Sequence, residues 1–220
     1  MSTMTRAQYD AATRQYFWLF LMRVFAELNP GVRFSDNFHI HKIIEALEEL
    51  RLGSERRLAV AMPPRSLKSI IISVAFPAWL LGHMPTCKII AVSYGQDLAD
   101  KMASDCRQIM QSAWFQALFP ETRLAPKRQA LANFETTQGG GRFSTSVGGV
   151  ITGFGADYII VDDPMKPEEA LSDADRTRGN DWVQHSLFSR LNDKADGRII
   201  IVMQRLHEDD VIGNLMAKFS

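Results

Sequence analysis

The sequence predicts an α/β fold, a mainly parallel sheet covered by helices on both faces. Three observations carry this expectation. The runs Lys88 to Ser93, Tyr158 to Val161 and Arg198 to Met203 are apolar almost throughout rather than alternating, as in strands buried on both faces. Segments of helical period separate them, as the crossovers of parallel strands require. Hydrophobic residues make up 46% of the 220 residues, enough for a sizeable core and too many for a disordered chain.

The elements follow in order. Arg6 to Leu28 reads as one amphipathic helix stopped by Asn29-Pro30-Gly31. Asn37 to Leu52 reads as a second, with Ile40, Ile43, Ile44, Leu47 and Leu50 on one face and Gly53 as terminator. Residues 1–52 therefore form an N-terminal helical segment packed on a core that runs from 53 to 220. The core opens with a strand, Arg57 to Met62, a Pro-Pro loop and a helix from about Lys68 to Leu81. A strand (Lys88 to Ser93), a helix (Gln96 to Gln111) and a short apolar turn or helix (Trp114 to Phe119) come next. Leu131 to Thr136 and Arg142 to Ser146 read as a strand pair joined by a Gly-rich turn. Gly148, Gly149, Gly153 and Gly155 mark a tightly turning loop. The strand at Tyr158 to Val161 ends in Asp162-Asp163-Pro164. A helix over Asp173 to Phe188, the strand Arg198 to Met203 and a helix over Glu208 to Lys218 complete the pattern.

Composition excludes several classes. Lys+Arg and Asp+Glu are both 25, so the chain is no uniformly basic nucleic-acid coat, although one basic face is compatible with zero net charge. Cys87 and Cys106 lie far apart in no metal-ligand spacing and read as reduced core thiols of an intracellular protein. Met1 to Asp10 is polar, without the pattern of a secretory signal. Tyr16 to Leu28 is apolar and aromatic but too short to span a bilayer. Its Tyr16, Phe17, Trp18 and Phe20 read as a helix-packing surface.

Met62-Pro63-Pro64-Arg65-Ser66-Leu67-Lys68-Ser69 reads as a phosphate loop between a strand and a helix. Backbone N–H groups at a helix N-terminus face anions favourably, and Pro64, Arg65, Ser66, Leu67, Lys68, Ser69 and Ile70 are the residues so placed. Lys68 can reach the β- and γ-phosphates of a nucleotide, and Ser69 can ligate Mg²⁺. Met62 and Leu67 occupy the positions of the pattern's glycines. A side chain at Leu67 must point away from a nucleotide and is strained if the backbone there needs positive φ. The alternative is an ordinary strand–helix connection with a surface lysine.

The strand ending in Asp162-Asp163 delivers two acids to the C-terminal edge of the sheet, where open α/β sheets bind ligands. Asp162 is expected to hold Mg²⁺ through water, and Asp163 to polarise the attacking water. Asp-Asp-Pro is also a common turn.

Four segments together resemble the ATPase domain of the large terminase subunit of tailed bacteriophages. They are Pro63-Pro64-Arg65-Ser66-Leu67-Lys68-Ser69; Ala91-Val92-Ser93-Tyr94 with the following Ala99-containing helix; Thr152-Gly153-Phe154-Gly155-Ala156-Asp157 leading into Ile160-Val161-Asp162-Asp163-Pro164; and Gln204-Arg205-Leu206-His207-Glu208-Asp209-Asp210 with Gly213. They span about residues 38 to 215. The resemblance implies a RecA-like, ASCE-type P-loop sheet with an added strand between the two nucleotide-binding motifs. It implies ATP and Mg²⁺ as cofactors, ATP hydrolysis driving double-stranded DNA into a prohead, and a homo-oligomeric ring at the portal protein with a small terminase subunit, in the host cytoplasm and away from membranes. It also implies a C-terminal nuclease domain, which is not expected within this chain. The family commonly has a basic residue where this sequence has Phe154, so Arg65, Arg142 and Arg205 are the candidates for an arginine acting on a neighbour's nucleotide.

Around this frame, Arg65 and Arg205 are expected to contact or sense the γ-phosphate, with a solvent-exposed Arg65 and a salt bridge from Arg205 to Asp209 or Asp210 as alternatives. Gln204 is a candidate for contact with nucleotide or water. Phe38 and His41 stand in the region that holds adenine in the resembling family, and Phe38 is equally compatible with a core position. Lys127, Arg128 and Arg142, with Arg176 and Arg178, are candidate DNA-phosphate contacts, or charges on solvated loops. A helicase- or remodeller-type ATPase and a degenerate nucleotide fold serving as an assembly module remain the competing readings.

Overall fold

The computed structural model describes residues 4–130 and 132–219, with the side chains of 127–129 and 219 outside the description. It is a seven-stranded sheet with strand order β1-β7-β6-β2-β5-β4-β3. The strands are β1 (Arg57–Ala61), β2 (Lys88–Ser93), β3 (Leu124–Gln129), β4 (Asn133–Thr136), β5 (Gly141–Ser146), β6 (Tyr158–Asp162) and β7 (Arg198–Met203). From β1 to β5 every pairing is parallel, and β4 and β3 extend the sheet antiparallel. In register, Ser93 lies beside Asp162 on one side and Ser146 on the other. Strand β7 runs between β1 and β6, so the C-terminal ends of all three open onto one edge of the sheet.

Helices α1 (Arg6–Gln15), α2 (Phe17–Leu28), α3 (Phe38–Leu52), α4 (Phe76–His83), α5 (Gln96–Gln111) and α6 (Ala113–Leu118) belong to one face; α7 (Asp173–Asp181) and α8 (Val211–Phe219) belong to the other. The first face buries one continuous apolar cluster, from Phe17, Phe20 and Leu47 through Ile71, Trp79 and Met102 to Tyr158 and Ile160. The N-terminal helices thus share a core with the sheet. The second face buries a smaller cluster around Ile159, Val161, Ile199, Ile201 and Val183. Alternate residues of the inner strands feed the two clusters, which is why those strands read as unbroken apolar runs.

The expected helix over Arg6 to Leu28 is two helices, broken at the extended Tyr16. The Arg14 carbonyl accepts from the Trp79 indole N–H at 3.0 Å and from His83 Nε2 at 2.9 Å. Turning the chain there sets Phe17 against Phe76 and Trp79. The break is therefore a tertiary preference overriding local periodicity. Gly53 ends α3 at φ 90°, a conformation that favours glycine.

Helical structure runs from Lys68 to His83, with a π-helical stretch at Ile70–Ala75. The segment after Asp173 also passes from α7 into a π turn, Trp182–Leu187, so its expected extent holds. The last helix starts at Val211 rather than Glu208, because Asp210 caps it. Strand β3 was not expected: Pro126 and the lack of apolar alternation hide it, and it is an edge strand, where proline is tolerated. Among the described residues no helix is long and apolar enough to cross a membrane.

Candidate functional site

Lys68 and Ser69 begin the helix that follows β1, and Asp162 and Asp163 end β6. The fold joins the two pairs. Lys68, only 5% exposed, places Nζ 3.0 Å from each carboxylate oxygen of Asp163. Ser69 Oγ donates to Asp162 Oδ1 at 3.1 Å, and Ser73 Oγ donates to Asp162 Oδ2 at 2.6 Å. Serines four apart on a helix share one face, so both hydroxyls meet the same carboxylate.

Asp162 is 1% exposed. Burial pushes its carboxyl up to about 6, with the Ser73 hydrogen bond opposing and the neighbouring Asp163 charge reinforcing the rise. The buried acid has hydroxyl donors but no cation in direct contact among the described residues, a donor set that a divalent ion would complete. Mg²⁺ sites need only one or two protein oxygens, because phosphates and waters supply the rest. Asp162 and Ser69 fit that requirement.

Asp163 sits at φ 44°, in the left-handed region that Asp tolerates better than most residues. Backbone bonds fix it there: its N–H donates to the Val202 carbonyl at 2.8 Å, and its carbonyl accepts from the Tyr94 N–H at 3.0 Å. The Gln204 N–H donates to its Oδ1 at 2.9 Å. The Gln204 backbone N–H thus orients the acid.

The loop between β1 and the helix carries positive φ at Arg65 and at Leu67, each 62°. Leu67 is half-buried and packs on the main apolar cluster, so its side chain points away from the loop's outer surface. Ser66 Oγ donates to the Pro63 carbonyl at 2.8 Å and closes the turn. Pro64 and Arg65 are exposed, and Ile70 starts the π turn. The Ser66 carbonyl also lies 3.2 Å from His39 Nε2. His39, not singled out in the sequence, is what ties the start of α3 to the loop. Phe38 beside it is 79% exposed, so the core alternative for that ring is excluded. His41 points elsewhere, pairing with Asp36 at 2.9 Å and stacking on Trp18.

Arg205 is held by Asp210, with Nε 2.9 Å from both carboxylate oxygens. Asp210 is fully buried and also accepts from the N–H groups of Leu206 (3.0 Å) and Gly213 (3.0 Å). A Cβ at Gly213 would lie 1.7 Å from the Glu208 carbonyl oxygen, so this capping turn requires glycine. The salt-bridge reading of Arg205 is the one the geometry supports.

The basic residues expected to meet DNA separate. Arg142 is 1% exposed, its Nη1 donating to the Ser73 carbonyl and its Nε to Ser144 Oγ, so it offers nothing to a surface ligand. Arg176 is 7% exposed and bonded to the Ala170 carbonyl and Asp173. Arg178 is exposed and pairs with Asp175. Lys127 and Arg128 lie on β3, with side chains outside the described residues. Phe154 stacks on Phe143 with centroids 3.8 Å apart. The Cys87 and Cys106 thiols are free and buried, and burial pushes both up. An apolar groove of 810 Å³ between β1, β7 and α8 shares no residue with the Lys68–Asp163 cluster.

No protein-family model matches the chain, and no curated protein matches it. Among solved structures, its fold is similar to the crystal structure of the HK97 bacteriophage large terminase, with a TM-score of 0.58 and 13% sequence identity over 93% of this chain. The chain spans 40% of the length of that protein. At this identity the likeness shows a terminase-like α/β fold.

Proposed function

We propose that this chain is a Mg²⁺-dependent ATPase domain of a terminase-like DNA-packaging motor. The observation that carries the reading is the joining of a Lys-Ser pair at a helix start to two acids at a strand end. That combination brings a cation, a hydroxyl, a buried acid and a second acid together around one point at the mouth of a helix. The position of β7 between β1 and β6 supports the RecA-like assignment. The likeness to a large terminase and the order of the four motifs support the packaging role.

The chemistry follows from the side chains. The first N–H groups of the helix have no intrahelical acceptors and face incoming phosphate oxygens. Lys68 would exchange the Asp163 carboxylate for those oxygens, so nucleotide binding would release Asp163. Asp163, still held by the Gln204 N–H, would then orient a water toward the γ-phosphorus. Ser69 and Asp162 would hold Mg²⁺, which when bound neutralises charge on the phosphate oxygens. Arg65, at the exposed turn of the loop, can fork onto a phosphate. Arg205 would sense the nucleotide only by leaving Asp210. Phe38, beside the residue that touches the loop, offers a ring for the base.

The wider reading is translocation of double-stranded DNA by a ring of subunits docked on a portal with a small terminase subunit. It rests on the likeness and the motif order alone. Phosphate release from ATP tests the catalytic part. The expected result is turnover that stops on adding EDTA. Binding of ATP with no turnover above buffer would favour the assembly-module alternative.

A further inference from the structure

We propose that Arg142 is a positioning residue for Asp162, acting through Ser73. The inference rests on the reading of Asp162 as the Mg²⁺-holding acid.

Pro77 is the second residue of α4. Proline has no N–H and its ring crowds the carbonyl of the residue four before it. That residue is Ser73. The helix passes through a π turn at Ile70–Ala75, and Pro77 offers the Ser73 carbonyl no α-helical N–H donor. Arg142 Nη1 supplies one.

Ser73 therefore has two bonds that face different ways. Its carbonyl holds Arg142, and its hydroxyl donates to Asp162 Oδ2 at 2.6 Å. Ser73 is 1% exposed and Arg142 is 1% exposed, so water does not compete for either bond. Arg142 comes from β5, separated from β6 by β2, and its Nε is anchored by Ser144 Oγ at 3.0 Å. The chain of contacts runs from β5 through the guanidinium and the π turn to the acid at the end of β6.

The arrangement becomes informative when Ser69 is considered. Ser69 and Ser73 hold one oxygen each of Asp162. If Ser69 turns to a metal ion, Ser73 alone keeps the carboxylate oriented. The position of Ser73 then depends on the guanidinium behind it. A fully buried guanidinium, which also lies against Cys106, is costly, and an apolar side chain would fill a core position more cheaply.

The test compares wild type, Arg142→Lys, Arg142→Met, Ser73→Ala and the Arg142→Met/Ser73→Ala double variant. ATP turnover is measured as a function of Mg²⁺, and ATP affinity is measured separately in EDTA. Arg142→Met and Ser73→Ala are each expected to raise the Mg²⁺ concentration for half-maximal rate by about tenfold. ATP affinity in EDTA should change by less than about threefold. The double variant should be no worse than the poorer single, because both changes break one chain of contacts. Arg142→Lys, which keeps a donor for the Ser73 carbonyl, should recover part of the Mg²⁺ response.

If Arg142→Met does not fold, the Ser73→Ala and Arg142→Lys comparison decides alone. An unchanged Mg²⁺ response in Arg142→Met or Ser73→Ala, or additive losses in the double variant, would overturn the inference while leaving the ATPase reading intact. No turnover in wild type would overturn both.

Discussion

Lys68 Nζ lies 3.0 Å from each carboxylate oxygen of Asp163, in a pocket that leaves the lysine 5% exposed. A buried ammonium needs a partner, and Asp163 is that partner. The same lysine is the group best placed to meet a polyphosphate. On the proposed function, carboxylate and phosphate would compete for one cation, and nucleotide binding would release the acid.

That coupling predicts the behaviour of Asp163→Asn. Loss of the acid should reduce ATP turnover by about 100-fold or more, because the group proposed to orient water would be gone. ATP affinity should be unchanged or tighter, since the amide holds Lys68 less firmly. Turnover assays paired with nucleotide titration read both quantities. Weaker binding would show that Asp163 has a different task.

Asp162 predicts a trade-off between stability and function. Burial raises its carboxyl from 3.8 to about 6 in the folded chain. A carboxyl raised on folding favours the protonated native form. Its neutral form is fully compatible with the fold below the unfolded value, and stability declines as pH rises through the window from 3.8 to about 6. Asp162→Asn removes the charge while Ser69 and Ser73 can still bond the amide. The variant should be as stable as wild type near pH 3.8 and more stable by about 1–3 kcal/mol above the window. Mg²⁺-dependent turnover should be lost. Urea unfolding across this pH range checks the sign.

Leu67 at φ 62° gives a third prediction. Left-handed backbone costs a non-glycine residue about 1–2 kcal/mol. Leu67→Gly relieves that strain but gives up packing on the core, so net stability should change by less than about 1 kcal/mol. Leu67→Ile, β-branched at the same φ, should lose about 1–2 kcal/mol more than the glycine variant. Unfolding curves for the pair separate strain from burial.

Asp210 gives a fourth. It is fully buried, clamps Arg205 and caps α8. Asp210→Ala should destabilise by about 2–4 kcal/mol, leaving Arg205 Nε and the N–H groups of Leu206, His207 and Gly213 without their carboxylate acceptor. Asp210→Asn should recover part of the loss, as measured by thermal unfolding.

Much of this fold was readable because its inner strands are buried on both faces. Ile89 to Val92, Ile159 to Val161 and Ile199 to Val202 need apolar residues at every position, so they stand out without alternation. Strand order was not readable from local patterns, since pairing depends on contacts between distant segments; the resemblance alone implied a strand between those that carry the two motifs. The Lys-Ser and Asp-Asp pairs were visible as local motifs. Ser73 was missed, although its spacing of four from Ser69 puts both hydroxyls on one helix face. His39 was passed over for its neighbours Phe38 and His41. Arg142 was read as a surface cation because charge usually lies outside. Its buried guanidinium donates to the Ser73 carbonyl, to which Pro77 offers no N–H, a long-range relation that no local pattern reveals.

The central claim is that Lys68, Ser69, Asp162 and Asp163 form a nucleoside-triphosphate site. Calorimetric titration of ATP with Mg²⁺ into wild type and Lys68→Ala, both checked for folding by circular dichroism, tests it most directly. Saturable binding to wild type and a loss of affinity of about 100-fold in the variant are expected, since a charged contact to phosphate is worth about 2–3 kcal/mol. Equal affinity in the two proteins, or no binding to wild type at millimolar nucleotide, would contradict it.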